Sequence, residues 1–220
     1  MTLRYRAVLF DLDGTLVDSY DALEDSINYA RRGHGADDLP VGKIREFVGY
    51  GIERLLERAF EPTDVPPTAR SLFEQRYDEI CCAQSKVLSD VDTTLLALQS
   101  LGVSMAVCTN KPTGFSRKIL DALGLAGFFQ AIVGPDVAGA RKPDGRHVLV
   151  TLDATGCSAG ETLFVGDMPI DVLAARNGGI DVAVVPTGSS TIEQLREAEA
   201  DHYLERFSDL LALVGNGDDA

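Results

Sequence analysis

The sequence predicts a doubly wound, Rossmann-like parallel α/β sheet with an all-helical insertion after its first strand. Three observations carry that expectation. Short, continuously apolar runs recur along the chain, as strands buried on both faces require. Amphipathic stretches of helical length separate them, and such alternation implies parallel strands crossed over by helices. One long segment, from residue 16 to about 83, breaks the alternation and carries only helical spacing.

The first run, Ala7-Val8-Leu9-Phe10, closes on an acidic turn containing Gly14. In the segment that follows, Leu16, Tyr20, Leu23, Ile27 and Ala30 step by threes and fours, as do Ile52, Leu55, Leu56, Ala59 and Phe60. Beyond Pro66-Pro67, Leu72, Phe73, Tyr77 and Ile80 do the same, which predicts some four helices. Gly and Pro punctuate the loops at 33–40 and 61–67. Leu95, Leu98 and the region of Leu101 predict a helix before the run 103–108, and Ile119, Leu120 and Leu123 one that ends at Gly124. After the run 131–133, Leu149 and Leu152 predict a helix ending at Gly156, followed by the runs 162–165 and 182–185. The expected division is a core of 1–16 and 84–220 carrying a helical cap of 17–83, hinged near 16–19 and 83–89. The small, acidic tail 215–220 is expected to fray.

Composition narrows the function. A chain of 220 residues with 45% hydrophobic and 25% charged residues is globular, not disordered. At roughly 150 residues per domain it holds one domain plus an insertion. A net charge of −14 with no basic run argues against nucleic acid and anionic membranes as partners. No apolar run approaches the ~18 residues of a bilayer span, and the N-terminus leads straight into a strand-like segment rather than a signal peptide. These features predict a cytoplasmic protein, a monomer or homodimer, acting on a small molecule. Its four cysteines, Cys81, Cys82, Cys108 and Cys157, lack metal or redox spacing and read as reduced thiols. His34, His147 and His202 lack ligand spacing and are expected at the surface.

The unusual polar residues each follow a strand, at the carboxyl edge where open α/β sheets bind ligands. Asp11-Leu12-Asp13-Gly14-Thr15 follows the first strand and Thr109-Asn110 the second; Lys142-Pro143 comes after the third and Gly166-Asp167-x-x-x-Asp171 after the fourth. Converging Asp11, Asp13 and Asp167 requires a cation or a shared proton to relieve repulsion. Oxygen-only ligands beside a phosphate point to Mg²⁺ rather than Ca²⁺, and an EF-hand fails because Leu16 and Ala22 stand where that loop needs Gly and Glu. Lys142 and the Thr109 hydroxyl supply the charge and hydrogen bond that a transferring phosphoryl group needs. Gly14 permits a sharp turn whose amides face phosphate oxygens.

These four ordered motifs, including Asp11-Leu12-Asp13-Gly14-Thr15-Leu16-Val17-Asp18-Ser19 and Thr109-Asn110-Lys111, resemble those of the haloacid dehalogenase-like phosphatases over nearly the whole chain. The helical segment stands where that superfamily carries its first type of cap. The resemblance implies that Asp11 attacks phosphorus to form an aspartyl-phosphate and that Asp13 works as general acid, then base. It implies Mg²⁺ held by Asp11, the Asp13 carbonyl and Asp167, with Asp171 a direct ligand or a support near Lys142. Gly14, Thr15 and Asn110 then bind substrate. Met168 stands where the family often has Ser or Thr.

Within the cap, residues 45–56 resemble the corresponding segment of phosphoglycolate phosphatases, which implies that Arg45 and the Gly49-x-Gly51 turn meet a small carboxylate. In phosphonate-cleaving relatives a cap lysine forms a Schiff base, and Lys43 is the single lysine of this segment. Those relatives lack the second carboxylate of the first motif, however, and Asp13 is present here. The expected function is hydrolysis of a small anionic phosphomonoester, 2-phosphoglycolate first. A sugar-phosphate phosphatase or a β-phosphoglucomutase-like phosphomutase is the alternative; a non-catalytic binding module would not need both Asp11 and Asp13.

Overall fold

A computed structural model describes residues 3–60 and 64–215. The chain opens with β1 (Ala7–Phe10) and β2 (Val17–Asp18), then runs through α1 (Tyr20–Gly33), a 3-10 turn at Ile44–Phe47, α2 (Ile52–Phe60) and α3 (Ala69–Ile80) to β3 (Lys86–Val87). Helix and strand then alternate through α4 (Val91–Ser100), β4 (Ser104–Cys108), α5 (Thr113–Ala122), β5 (Ala131–Val133), α6 (Pro135–Ala138) and α7 (Gly145–Asp153). The chain finishes with β6 (Thr162–Gly166), α8 (Pro169–Gly178), β7 (Asp181–Val184), α9 (Ile192–Glu197), β8 (His202–Tyr203) and α10 (Leu210–Gly215).

All five apolar runs are strands of one sheet, ordered β5-β4-β1-β6-β7-β8 and parallel throughout. Side chains alternate across it, as the period of two demands. Val8 and Phe10 of β1 enter one core with Leu95, Leu98, Ile119 and Leu210, while Leu9 enters the other with Val148, Leu152, Val172 and Ala175. Both faces are covered by helices, which is why the runs are apolar on both sides, with polar residues such as Ser104 and Thr162 only near their starts. The sixth strand, β8, has no apolar run and escapes sequence reading. Leu101 and Leu149, expected in the core, are 41% and 43% exposed; their helices bury Leu98 and Leu152 instead.

The sheet order decides where the chemistry sits. From β1 the chain moves outward to β4 and β5, then crosses back to β6, β7 and β8 on the other side. The carboxyl end of β1 is therefore the point where connections diverge, leaving a crevice between the loops after β1, β4 and β6.

Between β1 and β4 lies the helical segment, with three α-helices and the 3-10 turn in place of some four helices. Tyr20, Leu23, Ile27 and Ala30 of α1 are buried, as are Ile52, Leu55, Leu56 and Ala59 of α2 and Phe73 and Tyr77 of α3. Each fully buried Leu or Ile contributes roughly 1.5–3 kcal/mol, so the apolar stripes hold this segment together. The entering and leaving chains pair antiparallel as β2 and β3, with Val17 opposite Val87 and Asp18 opposite Lys86. That short ribbon coincides with the two expected hinges. Among the described residues no helix is long and apolar enough to cross a membrane. The expected fraying of the tail concerns 216–220, outside the described residues, as do 61–63 of one loop.

Candidate active site

Asp11 extends β1 by one ladder bond, its N–H donating to the Val165 carbonyl at 2.9 Å, and its carboxylate stands at the divergence point, 4% exposed. Lys142 Nζ lies 2.7 Å from Asp11 Oδ1 and 2.7 Å from Asp171 Oδ1. Burial alone would lower the Lys142 ammonium, but the two carboxylates outweigh it and hold the lysine above its ordinary value. Asp171 sits in the first turn of α8, and its second oxygen accepts from the N–H groups of Met168 at 3.0 Å and Asp167 at 3.2 Å. It therefore caps its own helix and anchors Lys142 together. Burial pushes Asp171 up to about 6, against the pull of Lys142 and with the push of Asp11. Asp167, fully buried, accepts from Thr15 Oγ1 at 2.8 Å and Ser189 N at 3.3 Å; desolvation, then Asp171 and Asp11, raise it well above the carboxylate range.

Asp11, Asp167 and Asp171 each offer an oxygen within 4.8 Å of the others. One ammonium faces three carboxyl groups, whose mutual repulsion a cation would relieve, and the donors are all hard oxygens. This set fits a divalent hard cation such as Mg²⁺, which retains waters when bound. The surroundings fit too. Gly14, at φ +90, lies so close that a Cβ there would stand 2.6 Å from both Asp167 Oδ2 and the Tyr20 hydroxyl. A Cβ on Gly188 would overlap the Asp167 carboxylate. The Tyr20 hydroxyl is buried beside this cluster, near Ser189.

Asp13 does not join the three carboxylates through its side chain. Lys111 Nζ donates to its two oxygens at 2.7 and 2.5 Å, and Ser19 Oγ donates at 2.5 Å. Burial would lower the Lys111 ammonium, but Asp13 foremost holds it up. Asn110 is a strut: its Nδ2 donates to the carbonyls of Gly49 and Lys142 at 3.0 and 3.2 Å, while its Oδ1 accepts from Lys142 N at 2.8 Å. It thus fixes the lysine loop against the helical segment. Thr109 Oγ1 accepts from Lys111 N at 3.2 Å and does not cap α5, whose Thr113 N–H donates to Asp136 Oδ1 at 2.9 Å.

Several residues expected to contact substrate have other partners in this structure. The Gly14 N–H is taken up by the Val17 carbonyl at 2.8 Å and the Thr15 N–H by Leu12 at 3.3 Å, because the chain turns tightly after Leu12. Amides of Leu12, Asp13 and Asn110, without partners among the described residues, remain for phosphate oxygens. The Thr15 hydroxyl orients Asp167 instead of facing the pocket. Arg45 is also elsewhere: its Nη2 donates to the carbonyls of Thr187 and Gly188 at 3.3 and 3.0 Å, and the guanidinium covers the Tyr20 ring at 4.2 Å. Lys43 is exposed and paired with Glu46 at 2.6 Å.

A cavity of about 40 Å³, room for a few waters, opens over Asp11 and Asp13. The sheet edge lines it with Thr109, Asn110 and Lys111, and the helical segment with Leu23, Val48, Gly49, Gly51, Ile52, Leu55, Phe73 and Tyr77. Gly49, at φ +105, admits Met168 of the core, whose sulfur a Cβ on Gly49 would overlap. Met168 is thereby a packing contact between core and helical segment.

Residues 8–185 match the family described as haloacid dehalogenase-like hydrolase. The chain belongs to the haloacid dehalogenase-like hydrolases. It is 36% identical over 209 residues to a phosphoglycolate phosphatase of Caulobacter vibrioides, covering 92% of this chain and 88% of the relative. A phosphoglycolate phosphatase of Pectobacterium atrosepticum is 33% identical over 217 residues, 96% of this chain and 93% of the relative. Among solved structures, a predicted phosphoglycolate phosphatase from Haemophilus somnus aligns at a TM-score of 0.88 and 28% identity, covering 97% of this chain and 99% of that one. This member of the hydrolase family is a phosphoric monoester hydrolase.

Within the family framework, Asp11, Asp13, Thr109, Asn110 and Lys142 gather at one crevice with Asp167 and Asp171, whereas Arg45 and Thr15 stand behind it. Sequence reasoning missed Lys111 as an anchor of Asp13 and the 187–189 loop that closes on Asp167. The first was quoted only as the tail of a motif; the second has no chemistry of its own, acting through backbone and a Gly. His147, expected at the surface, is fully buried with Nε2 3.0 Å from the Val133 carbonyl, and no pattern in the sequence marks it. The four cysteines are free, and burial pushes the Cys108 thiol up to about 12, which removes it as a nucleophile.

Proposed function

We propose that the enzyme is a Mg²⁺-dependent cytoplasmic phosphatase that hydrolyses 2-phosphoglycolate through an aspartyl-phosphate on Asp11. The observation that carries this reading is the Lys142 ammonium held between Asp11 and Asp171 at 2.7 Å each, next to Asp167 and under the cavity. The names of the relatives support the substrate, and the free cysteines support a reducing compartment.

In this mechanism an Asp11 oxygen forms a bond to phosphorus as the bond to the leaving oxygen breaks. Asp13, which acts in the form that has taken up a proton from solvent and given up its pairing with Lys111, delivers that proton to the leaving oxygen, then takes one from the water that attacks the aspartyl-phosphate and releases inorganic phosphate. Lys142, the Thr109 hydroxyl and the free amides of Leu12, Asp13 and Asn110 stabilise the equatorial oxygens. Asp11, Asp167 and the Asp13 carbonyl would hold Mg²⁺, supported by Asp171. Bound there, Mg²⁺ supplies positive charge against the phosphoryl oxygens and relieves the carboxylate repulsion.

The division into a core of 1–16 and 84–220 and a cap of 17–83 belongs to this reading. In it the cap swings on the β2–β3 ribbon to admit substrate over Asp11 and recloses to exclude water. Inorganic phosphate release from 2-phosphoglycolate, sugar phosphates and nucleotides, with and without Mg²⁺, tests it. Asp11→Asn should lower release by on the order of 10³-fold or more. An Asp11→Asn enzyme of near wild-type rate refutes the nucleophile; isomerisation of a sugar phosphate without phosphate release makes the enzyme a mutase.

A further inference from the structure

We infer that Tyr77 and Lys111 form the subsite for the second anionic group of the substrate, receiving its carboxylate between cap and core. This rests on the phosphoglycolate reading and deepens it. An anionic ester buried in a mostly apolar cavity needs a partner for each charge, since an unpaired buried carboxylate is strongly disfavoured. Arg45, the residue expected to meet that group, is turned to the 187–188 carbonyls. Lys111 is the one cation lining the cavity among the described residues. Its ammonium carries three N–H donors; two serve Asp13, and the third faces the Tyr77 hydroxyl.

A second observation converges on the same place. The Tyr77 side chain lines the cavity and is 1% exposed, and its hydroxyl, with the Lys111 ammonium beside it, has no acceptor for its own proton among the described residues. The Lys111 ammonium stands 5.0 Å from the centre of its ring. The ring is clamped, stacked on Phe73 at 5.5 Å and met edge-on by Phe115 at 5.1 Å, so it cannot turn away to find another partner. Buried hydroxyls in folded proteins are nearly always satisfied, and this one awaits an acceptor delivered by a ligand. Because Tyr77 belongs to α3 and Lys111 to the loop after β4, a carboxylate bridging them also ties the helical segment to the sheet edge.

Steady-state kinetics with Mg²⁺ on 2-phosphoglycolate and on ethyl phosphate, which has the same carbon count and no carboxylate, tests the assignment. Tyr77→Phe should lose about 10- to 100-fold in kcat/KM on 2-phosphoglycolate, mostly through KM, the range for a hydrogen bond to a charged group. On ethyl phosphate it should stay within about 3-fold of wild type, and its Tm should not fall, because an unsatisfied buried hydroxyl has been removed. Lys111→Met should lower activity on both substrates through Asp13, and on 2-phosphoglycolate more. Equal losses on the two esters in Tyr77→Phe, or an unchanged preference, overturn the subsite while leaving the substrate in place. A wild-type enzyme that does not prefer 2-phosphoglycolate to ethyl phosphate removes the substrate reading and the subsite with it.

Discussion

Removing divalent metal should destabilise this protein more at alkaline than at acid pH, and the reason lies in the carboxylate cluster. Asp171 is held at about 6 in the folded chain against 3.8 for the ordinary group, and Asp167 is raised well above that value. A folded-state value above the unfolded one costs nothing below 3.8, and stability is lost as pH rises through about 6. For Asp171 alone the difference amounts to roughly 3 kcal/mol at about 1.4 kcal/mol per pH unit. Ligands must be deprotonated to bind a cation, so Mg²⁺ relieves this cost where the carboxylates are charged. At about 100 times its Kd it would add roughly 2.7 kcal/mol, or about 5–10 °C in Tm for a chain of this size. Thermal melts in EDTA and in excess Mg²⁺ at pH 5 and pH 8 measure it. The Mg²⁺-induced rise should be several degrees at pH 8 and small at pH 5. Asp167→Asn should raise the Tm of the metal-free protein at pH 8 and abolish the Mg²⁺ response. Equal Mg²⁺ shifts at the two pH values would refute the reasoning.

His147 should make the protein acid-sensitive once Mg²⁺ saturates the cluster. Burial foremost holds its imidazole down at about 4, so its share of stability is present above about 6.5 and is lost as pH falls through about 4. Urea melts should show a loss of about 2–3 kcal/mol attributable to this group between pH 7 and 4, flattened in His147→Leu; an unchanged pH slope in that variant would rule it out. Gly49→Ala, which drives a Cβ into Met168 at φ +105, should raise KM several-fold by displacing the cap. Adding Met168→Ala should recover part of that loss, and additive effects in a double-mutant cycle would disprove the contact. Gly188→Ala, which crowds Asp167, should weaken Mg²⁺ affinity by about 10-fold or more in a calorimetric titration while leaving far-ultraviolet circular dichroism intact.

Much of this arrangement was legible because parallel strands covered on both faces have to be apolar on both sides. β1, β4, β5, β6 and β7 announce themselves for that reason, and the chemistry follows because each motif comes directly after one of them. What stayed hidden acts through features that composition does not record. β8 is two polar residues long, and the β2–β3 ribbon owes its existence to two segments about seventy residues apart meeting at the mouth of the cap. Arg45 and Lys111 show the limit of spacing: from sequence the charged residue beside a Gly-x-Gly turn looks like the anion receptor, while a lysine trailing a motif looks incidental. The fold places them differently, because α1 brings Tyr20 under Arg45 and the turn after β4 puts Lys111 at the cavity.

Asp11 and Asp13 are separated by one buried leucine, yet the fold gives them different electrostatic surroundings. In a continuing strand, residues two apart face the same side, and both carboxylates would crowd one site. The chain instead leaves the strand at Leu12, whose carbonyl accepts from Leu16 N at 2.9 Å and Val17 N at 3.0 Å, and this turn carries Asp13 toward the helical segment. Asp11 stays with Lys142 among the carboxylates that call for a cation, while Asp13 meets Lys111 and Ser19 at the cap side. Two like groups with separate lysines can then take separate tasks, one attacking phosphorus and one moving a proton, which is how environment divides acid from nucleophile. The Ser19 hydroxyl, just before α1, donates to Asp13 and so ties this carboxylate to the helical segment, the contact through which the proposed cap motion would reach the proposed general acid.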